Sequence, residues 1–272
     1  MASGSVVARR SSKPRAPKAR STESRSTEPR SSRPGSFDAI RARAARRKGG
    51  DAALLALLPR VASVRALAKL TDDRALAQMA QRIFSAGFVW RVVESKWPGF
   101  EAAFLGFAPK RLLFQPDEFW SDLAADPRII RNPQKIKAVR ENAQFVSDIA
   151  RQHGSFGRFL ADWPADDQVG LLAVLDKRGA RLGGRSGQYF LRFVGKDTFV
   201  TSHDVVACLR DAGLDISEHP TSQRDLARIQ ERFNAWVAET GLPYTHLSRI
   251  CAMSIGENHD ADTIRRRGGA KE

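Results

Sequence analysis

A chain of 272 residues has room for one substantial domain or two modest ones, and 42% apolar residues are enough to build a real core. A formal charge of +15 draws such a protein toward a polyanion, with nucleic acid the natural candidate, although part of the surplus sits in an N-terminal tail. Two cysteines, Cys208 and Cys251, cannot form a disulfide framework, and neither a CxxC or CxxxH cluster nor a run of about eighteen apolar residues is present, which argues for a reducing, cytoplasmic setting without structural zinc, cofactor or membrane span.

Residues 1–36 are almost wholly Ser, Arg, Lys, Pro and Ala, too poor in large apolar side chains to offset the entropy of ordering them, and are expected to be disordered. Arg9, Arg10, Arg15, Arg20, Arg25 and Arg30 are nearly evenly spaced, which suits an extended chain following phosphates. An organelle-targeting peptide or a solubilising tail are the competing readings, the first disfavoured by the missing apolar face. Folded sequence begins at Phe37, where Ile40, Ala44 and Ala45 predict a helix closed by Gly49-Gly50. Asp51 is the expected cap of a helix over Ala52–Leu58 stopped by Pro59, and Ser63–Leu70 and Asp72–Phe84 read as further short helices. No period-two alternation competes, so the fold class is all-α.

Between Arg82 and Trp97 the segment Ala86-Gly87-Phe88-Val89-Trp90 reads as a break between two helices, with Phe88 and Trp90 suited either to core packing or to stacking on a base. Trp97-Pro98-Gly99-Phe100 ends one helix and opens another that carries Phe104 and Phe107; Asp117–Leu123 is a short helix, and Asp126-Pro127 a break. Ile129–Ala150 is the longest amphipathic stretch, with Ile136, Val139, Ala143, Val146 and Ile149 on one face. Of the cations near its start, Lys137 and Arg140 fit a solvated face. Gly154-Ser155-Phe156 leads into a helix ended by Trp163-Pro164, and Asp166-Asp167 caps the next.

Residues 171–194 predict a helix, a glycine-rich hairpin and a second helix. Lys177 and Arg178 sit on the first helix's C-terminal carbonyls, and Gly179 is expected in the left-handed conformation that stops it. Gly183, Gly184 and Gly187, with Arg185 and Ser186 between them, allow backbone amides to approach an anion and open the next helix. From Gln188 to Val194, Tyr189, Phe190, Leu191 and Phe193 require burial while Arg192 is expected to stay solvated. Most glycine pairs are plain connectors, but a basic helix end before this one and a buried helix after it favour a phosphate-binding hairpin. A short loop holding Asp204 follows, then a helix through Cys208 and Leu209 to Gly213, a long one with Leu226, Ile229, Phe233, Trp236 and Val237 capped by Thr221-Ser222, and a last one over Leu242–Ile255. Residues 37–256 thus form the folded unit, and 257–272 a loose polar tail.

Taken in order, these pieces resemble the helix-hairpin-helix DNA glycosylases, and within them the DNA-3-methyladenine glycosylase I family. The matching residues are Ala86-Gly87-Phe88-Val89-Trp90 with Phe100, Phe104 and Gly106-Phe107; Ile129-Ile130-Arg131-Asn132 with Lys135-Ile136 and Asn142-Ala143; Gly154-Ser155-Phe156; and Lys177-Arg178-Gly179. The resemblance covers about residues 75–208. It implies a two-lobed helical monomer on double-stranded DNA, and base-excision repair by hydrolysis of the N-glycosidic bond of a flipped, alkylated base. With it go phosphate binding at Arg178, Gly183, Gly184, Arg185, Ser186 and Gly187, the duplex wedge at Gly87 and Phe88, the base pocket at Trp90 and Tyr189, and the shape of the cleft at Arg131 and Asn132; Glu94, one turn beyond Trp90, is a pocket candidate that supplies a carboxylate from a position other than the family's.

The sequence departs from that family at three places. Arg82 stands where the family has a base-reading glutamate, the aromatic, zinc-binding N-terminal segment is replaced by the helices around Ile40 to Leu58, and Asp204 and Cys208 occupy the positions of later zinc ligands, so no metal is expected. The catalytic Asp of many relatives falls on Ser202; Asp204, two residues on, is the candidate, with a helix N-cap as its competing role. Gln188 replaces the lysine of bifunctional relatives, so a Schiff-base lyase is not expected. The alternative to an enzyme is a non-catalytic helix-hairpin-helix protein that recognises damaged or distorted DNA.

Overall fold

The computed structural model describes residue 1 and residues 36–87 and 89–267. The expectations for the tail to residue 35 and for Phe88 lie outside the described residues. Among those described, every element is a helix or a turn.

Helix α1 (Phe37–Lys48) starts where Ser36 Oγ accepts from the Asp38 amide, and it stops at Gly49 with φ 85°. In α2 (Asp51–Leu55) Asp51 is the first helical residue rather than the cap, which is Gly50; its carboxylate is held by Arg41 at 2.6 Å. Next come α3 (Val64–Leu67), capped by Ser63 and shorter than its apolar pattern predicts, and α4 (Asp72–Ser85). The chain continues through α5 (Trp90–Ser95), α6 (Trp97–Ala103), a 3-10 turn at Leu105–Phe107, α7 (Pro109–Leu113) and α8 (Asp117–Leu123). Helix α9 (Pro133–His153) begins later than Ile129, because the Asn132 side chain accepts from the Lys135 amide at 3.1 Å and Pro133 fits the first turn. Then follow α10 (Phe156–Asp162), α11 (Gln168–Arg178), α12 (Arg185–Phe193), α13 (His203–Asp211), α14 (Gln223–Thr240), α15 (Tyr244–Ser254) and α16 (Ala261–Arg267).

Two hydrophobic cores result. The first joins α3 to α12 around α9, with Phe84, Phe100, Phe104 and Phe107 all fully buried and Trp97 stacked on Phe107 at 5.4 Å. The second is built from both ends of the folded sequence: α1 and α2 pack with α13 to α16, where Phe37 meets Trp236 at 5.1 Å and Phe199 stacks on Phe233 at 4.7 Å. Ile264, only 5% exposed, ties α16 into this core, so residues 261–267 are a docked helix and not the loose end expected.

The seam between the cores runs through α12 and the stretch after it. Arg192 is buried there, contrary to its expected solvation, and donates to Thr198 O and Ser248 Oγ at 2.7 Å each. Burial, and then the charge of Arg249, push its guanidinium down to about 9. Gln168 exchanges two hydrogen bonds with the backbone of Phe199, and Gln188 Oε1 accepts from the Thr201 amide and hydroxyl at 2.8 and 3.0 Å. Gln188 is therefore a seam residue.

Because Phe190 of α12 is fully buried in the first core, Phe190→Ala is expected to lower stability by about 3–5 kcal/mol, measured by urea unfolding of the whole chain.

Candidate nucleic-acid interface and base pocket

The loop 179–184 joins α11 to α12 and is held from outside by α9. Asn142, fully buried on that helix, donates from Nδ2 to Ala180 O and accepts at Oδ1 from the Ala180 amide, both at 2.9 Å. Arg181 takes the left-handed conformation, with φ 57°, and its guanidinium binds Gln134 at the start of α9. Gly179, expected left-handed, instead has φ −95° and ψ 145°; it is glycine because a Cβ there would meet Leu175 O and Leu182 Cδ1 at 2.7 Å.

Gly184, with φ 55° and ψ −134°, occupies a region that only glycine enters readily. A Cβ on Gly187 would lie 2.3 Å from Leu182 O. The outcome is a row of amides left without partners: among the described residues, the N–H groups of Gly183, Gly184, Arg185, Ser186 and Gly187 have no hydrogen-bond partner, and no side chain caps α12. Five donors at the positive end of a helix dipole are a seat for an anion. Arg178 and Arg185 flank it, exposed and without ion pairs, as does Arg131 at the foot of α9. Lys137 and Arg140 are different, being paired with Glu141 and Asp117. Asp176 works against the site, since its carboxylate lies close over Gly183.

The second cluster gathers at α4, α5 and α12. Lys135, buried on α9, donates to Phe84 O at 3.2 Å and Ala86 O at 2.7 Å, so it fixes the end of α4 and the start of the following break. Gly87 is exposed with φ 75°, and Val89 after it is 67% exposed. Trp90, half-buried, meets the half-buried Tyr189 edge-on at 5.9 Å and Phe193 at 5.7 Å. Sequence reasoning put Trp90, Tyr189 and Glu94 in one pocket and set Arg82 at the position of a base-reading residue, but missed Phe193 and its contact with Arg82.

The Arg82 guanidinium lies 3.8 Å from the centre of the Phe193 ring and 4.8 Å from that of Trp90. Arg82 is 6% exposed, yet it makes no hydrogen bond, and its Nε and Nη1 are buried without partners. Each unpartnered buried donor costs about 1–3 kcal/mol, and the two ring faces return about 0.5–2 kcal/mol. Burial pulls this guanidinium down to about 10, against the opposing pull of Glu94, so it remains charged at neutral pH.

The residues after the hairpin lie differently from expectation. Asp204 is in the first turn of α13, not in a loop, and the cap is Ser202, whose Oγ accepts from the Val205 amide at 3.4 Å. The Asp204 carboxylate sits against Gly256 on the second lobe, where an added Cβ would be 2.4 Å from Oδ1. His203 beside it is 86% exposed and lines a cleft of about 510 Å³ between the lobes, together with Asp176, Gly184, Arg185, Gln188 and His219. The donor set does not fit a zinc ion at Asp204 and Cys208: the Cys208 thiol is buried in the second core against Ser254 at 3.4 Å, and no group of three or more His, Cys, Asp or Glu converges among the described residues.

The first lobe thus carries hairpin amides without hydrogen-bond partners, cations without ion pairs and a cluster of aromatic rings at the junction of α4, α5 and α12. Residues 67–170, from α3 into α11, match the family model of methyladenine glycosylases. The matched part stops short of the hairpin itself. Similar solved structures include a 3-methyladenine DNA glycosylase I at 23% identity, covering 47% of this chain and 80% of that one with a TM-score of 0.41. A second is the 3-methyladenine DNA glycosylase I of Staphylococcus aureus, at 21% identity over 57% and 86% of the two chains with a TM-score of 0.42. A substituted 3-methyladenine DNA glycosylase I in complex with 3-methyladenine covers 56% and 85% at 21% identity, again with a TM-score of 0.42. No curated protein sequence matches the chain.

Two outcomes follow for the hairpin. Asn142→Ala removes both clasps on Ala180, and is expected to cost about 1–3 kcal/mol in urea unfolding and to weaken binding to a plain DNA duplex. Asp176→Asn removes the opposing charge, and should tighten the same binding about two- to fivefold at low salt, read by fluorescence anisotropy.

Proposed function

We propose that the chain is a monofunctional DNA glycosylase of base-excision repair that hydrolyses the N-glycosidic bond of alkylated bases flipped from duplex DNA. The observation that carries the reading is the row of partner-free amides from Gly183 to Gly187, on the same helix whose Tyr189 and Phe193 join Trp90. The methyladenine glycosylase match over residues 67–170 supports it independently. The amides and the flanking Arg178 and Arg185 grip one backbone phosphate, and Arg131 and Asn132 shape the approach. The segment of Gly87 and Phe88 fills the gap left in the duplex, with Val89 as additional exposed apolar surface, and the extruded base lies against Trp90 and Tyr189.

Hydrolysis then requires the C1′–N bond to break toward a cation-like sugar and a water to add at C1′. Glu94, whose charge is felt by Arg82, is the carboxylate closer to the pocket; Asp204 reaches the sugar only if DNA bridges the two lobes. Gln188 is committed to Thr201 and offers no amine, which supports hydrolysis without strand cleavage. The protein acts as a monomer in the cytoplasm, close to the nucleoid, where Cys208 and Cys251 stay reduced.

The reading is tested with methylated duplex DNA and an assay of released bases. The wild-type chain releases base, and Trp90→Ala loses release while retaining duplex binding. Joint Arg178→Ala and Arg185→Ala substitution weakens binding to all sequences and lowers the slope of log affinity against log salt by about two. Tight duplex binding with no release from methylated, deaminated or oxidised DNA would select the non-catalytic alternative.

A further inference from the structure

The cleft between the lobes, about 510 Å³, has a polar edge and an apolar wall. From the start of α12 it is lined by Gly184, Arg185 and Gln188, whereas Tyr189 and Phe193 sit further round the helix against Trp90. Leu172 of α11, Val206 of α13 and Leu226 of α14 supply the apolar surface. Gln188 is the telling group. It is 2% exposed, and its Oε1 is fixed by two bonds from Thr201, which leaves Nε2 as the free end of the amide. That Nε2 donates to nothing among the described residues, yet it is not sealed from solvent, so a donor is held at the surface of the cleft. Beside it are the partner-free amides of Gly184 and Arg185, and the exposed Arg185 guanidinium. His203 and His219 also face the cleft; against these groups stand Asp176 and Glu218, the latter paired with Arg210 at 3.0 Å.

We infer that this cleft is a nucleotide subsite, taking one unstacked nucleotide of the DNA strand next to the phosphate held at the hairpin. The phosphate lies on the Gly184 and Arg185 amides, Gln188 Nε2 donates to an oxygen of the same nucleotide, and its base covers the apolar wall. A bare anion uses the amides and Arg185 alone and leaves the Gln188 donor and the wall unfilled. A neutral apolar ligand leaves the amides unfilled. A nucleotide engages all three, and the cleft falls within the roughly 300–1,000 Å³ of sites that hold ligands of this kind. The inference rests on the reading of the hairpin as a phosphate seat, not on Trp90 as the base platform. Because Trp90 and the cleft lie on different faces of α12, the strand is opened on both sides of the gripped phosphate.

The test separates binding from excision. Calorimetry on the full chain compares thymidine 5′-monophosphate with thymidine and with inorganic phosphate. The nucleotide is expected to bind at least about tenfold more tightly than either part, since each part leaves one half of the cleft unfilled. Gln188→Glu keeps an oxygen for Thr201 but replaces the free donor with a negative charge, and should weaken the nucleotide by about tenfold or more. Arg185→Ala, at an exposed position, should weaken the nucleotide by about three- to tenfold and leave thymidine unchanged. Saturating single-stranded oligothymidylate should displace the nucleotide, because the strand brings its own. Nucleotide binding no tighter than that of phosphate, an unchanged affinity in a folded Gln188→Glu chain, or a nucleotide retained beside saturating oligothymidylate would each overturn the inference, the last by marking a site for free nucleotides instead. The wild-type comparisons and Arg185→Ala stand even if Gln188→Glu fails to fold. Failure of the glycosylase reading shows separately, as methylated duplex from which no base is released while the nucleotide still binds and is still displaced.

Discussion

Two polar side chains on one face of α9 hold the candidate site in place. Lys135 and Asn142 are seven residues apart, about two helical turns, and so project in nearly the same direction. Lys135 clasps the carbonyls that end α4 and lead to Trp90; Asn142 clasps both polar atoms of Ala180 in the hairpin loop. Burying an amine and an amide is costly unless their donors are matched, and here each is matched by main chain, the last turn of α4 and the residue after it for Lys135 and the hairpin loop for Asn142. The pocket segment and the phosphate seat are thereby referenced to one rigid rod, which is what a site needs if it is to hold a backbone and an extruded base at a fixed separation.

Against this satisfied pair, the unsatisfied groups stand out. Evolution of a folded interior ordinarily removes buried donors without partners. Of the hairpin amides, those of Gly184 and Arg185 belong to exposed residues at a helix start, where water can serve them. Arg82 has no such relief, since it is enclosed by Trp90 and Phe193 and is pulled down by burial. What holds its charge there is the pair of ring faces together with the opposite charge of Glu94 on α5.

Much of this was legible in the sequence, and the failures have physical causes. Apolar periodicity marked most helices, and the glycines marked the hairpin, because both depend on local geometry. The ends of α2, α3 and α9 shifted by several residues, since caps depend on which side chain reaches an amide first. Arg192 was misread because a single arginine in an apolar helix looks solvated until a second lobe packs on that face and offers Thr198 O and Ser248 Oγ. Ile264 is one apolar residue in a polar stretch, too weak a pattern to announce a docked helix. Asn142 had a usable signal: it lies beside Val139, Ala143 and Val146, and a lone amide within an apolar stripe implies a buried backbone partner. Phe193 and Arg82 could not be placed together without the crossing of α4 and α12.

The second lobe brings two of the sequence departures, the N-terminal helices and the positions of Asp204 and Cys208, into one core. With α1 and α2 packed on α13, α14 and α15, the start of the folded chain completes the C-terminal core through contacts such as Glu239 accepting from Ser36 and Phe37. Cys208 is drawn into that core and Asp204 is set against Gly256, so neither position retains the freedom a metal ligand needs. What the arrangement keeps open is the cleft between α11 and α12 on one side and α13 and the start of α14 on the other, where Gly184 and Arg185 face His203 and His219. A strand held at the hairpin would enter the cleft beside these side chains. The second lobe is thus held together by helix packing, with Cys208 inside its core and Asp204 against its Gly256.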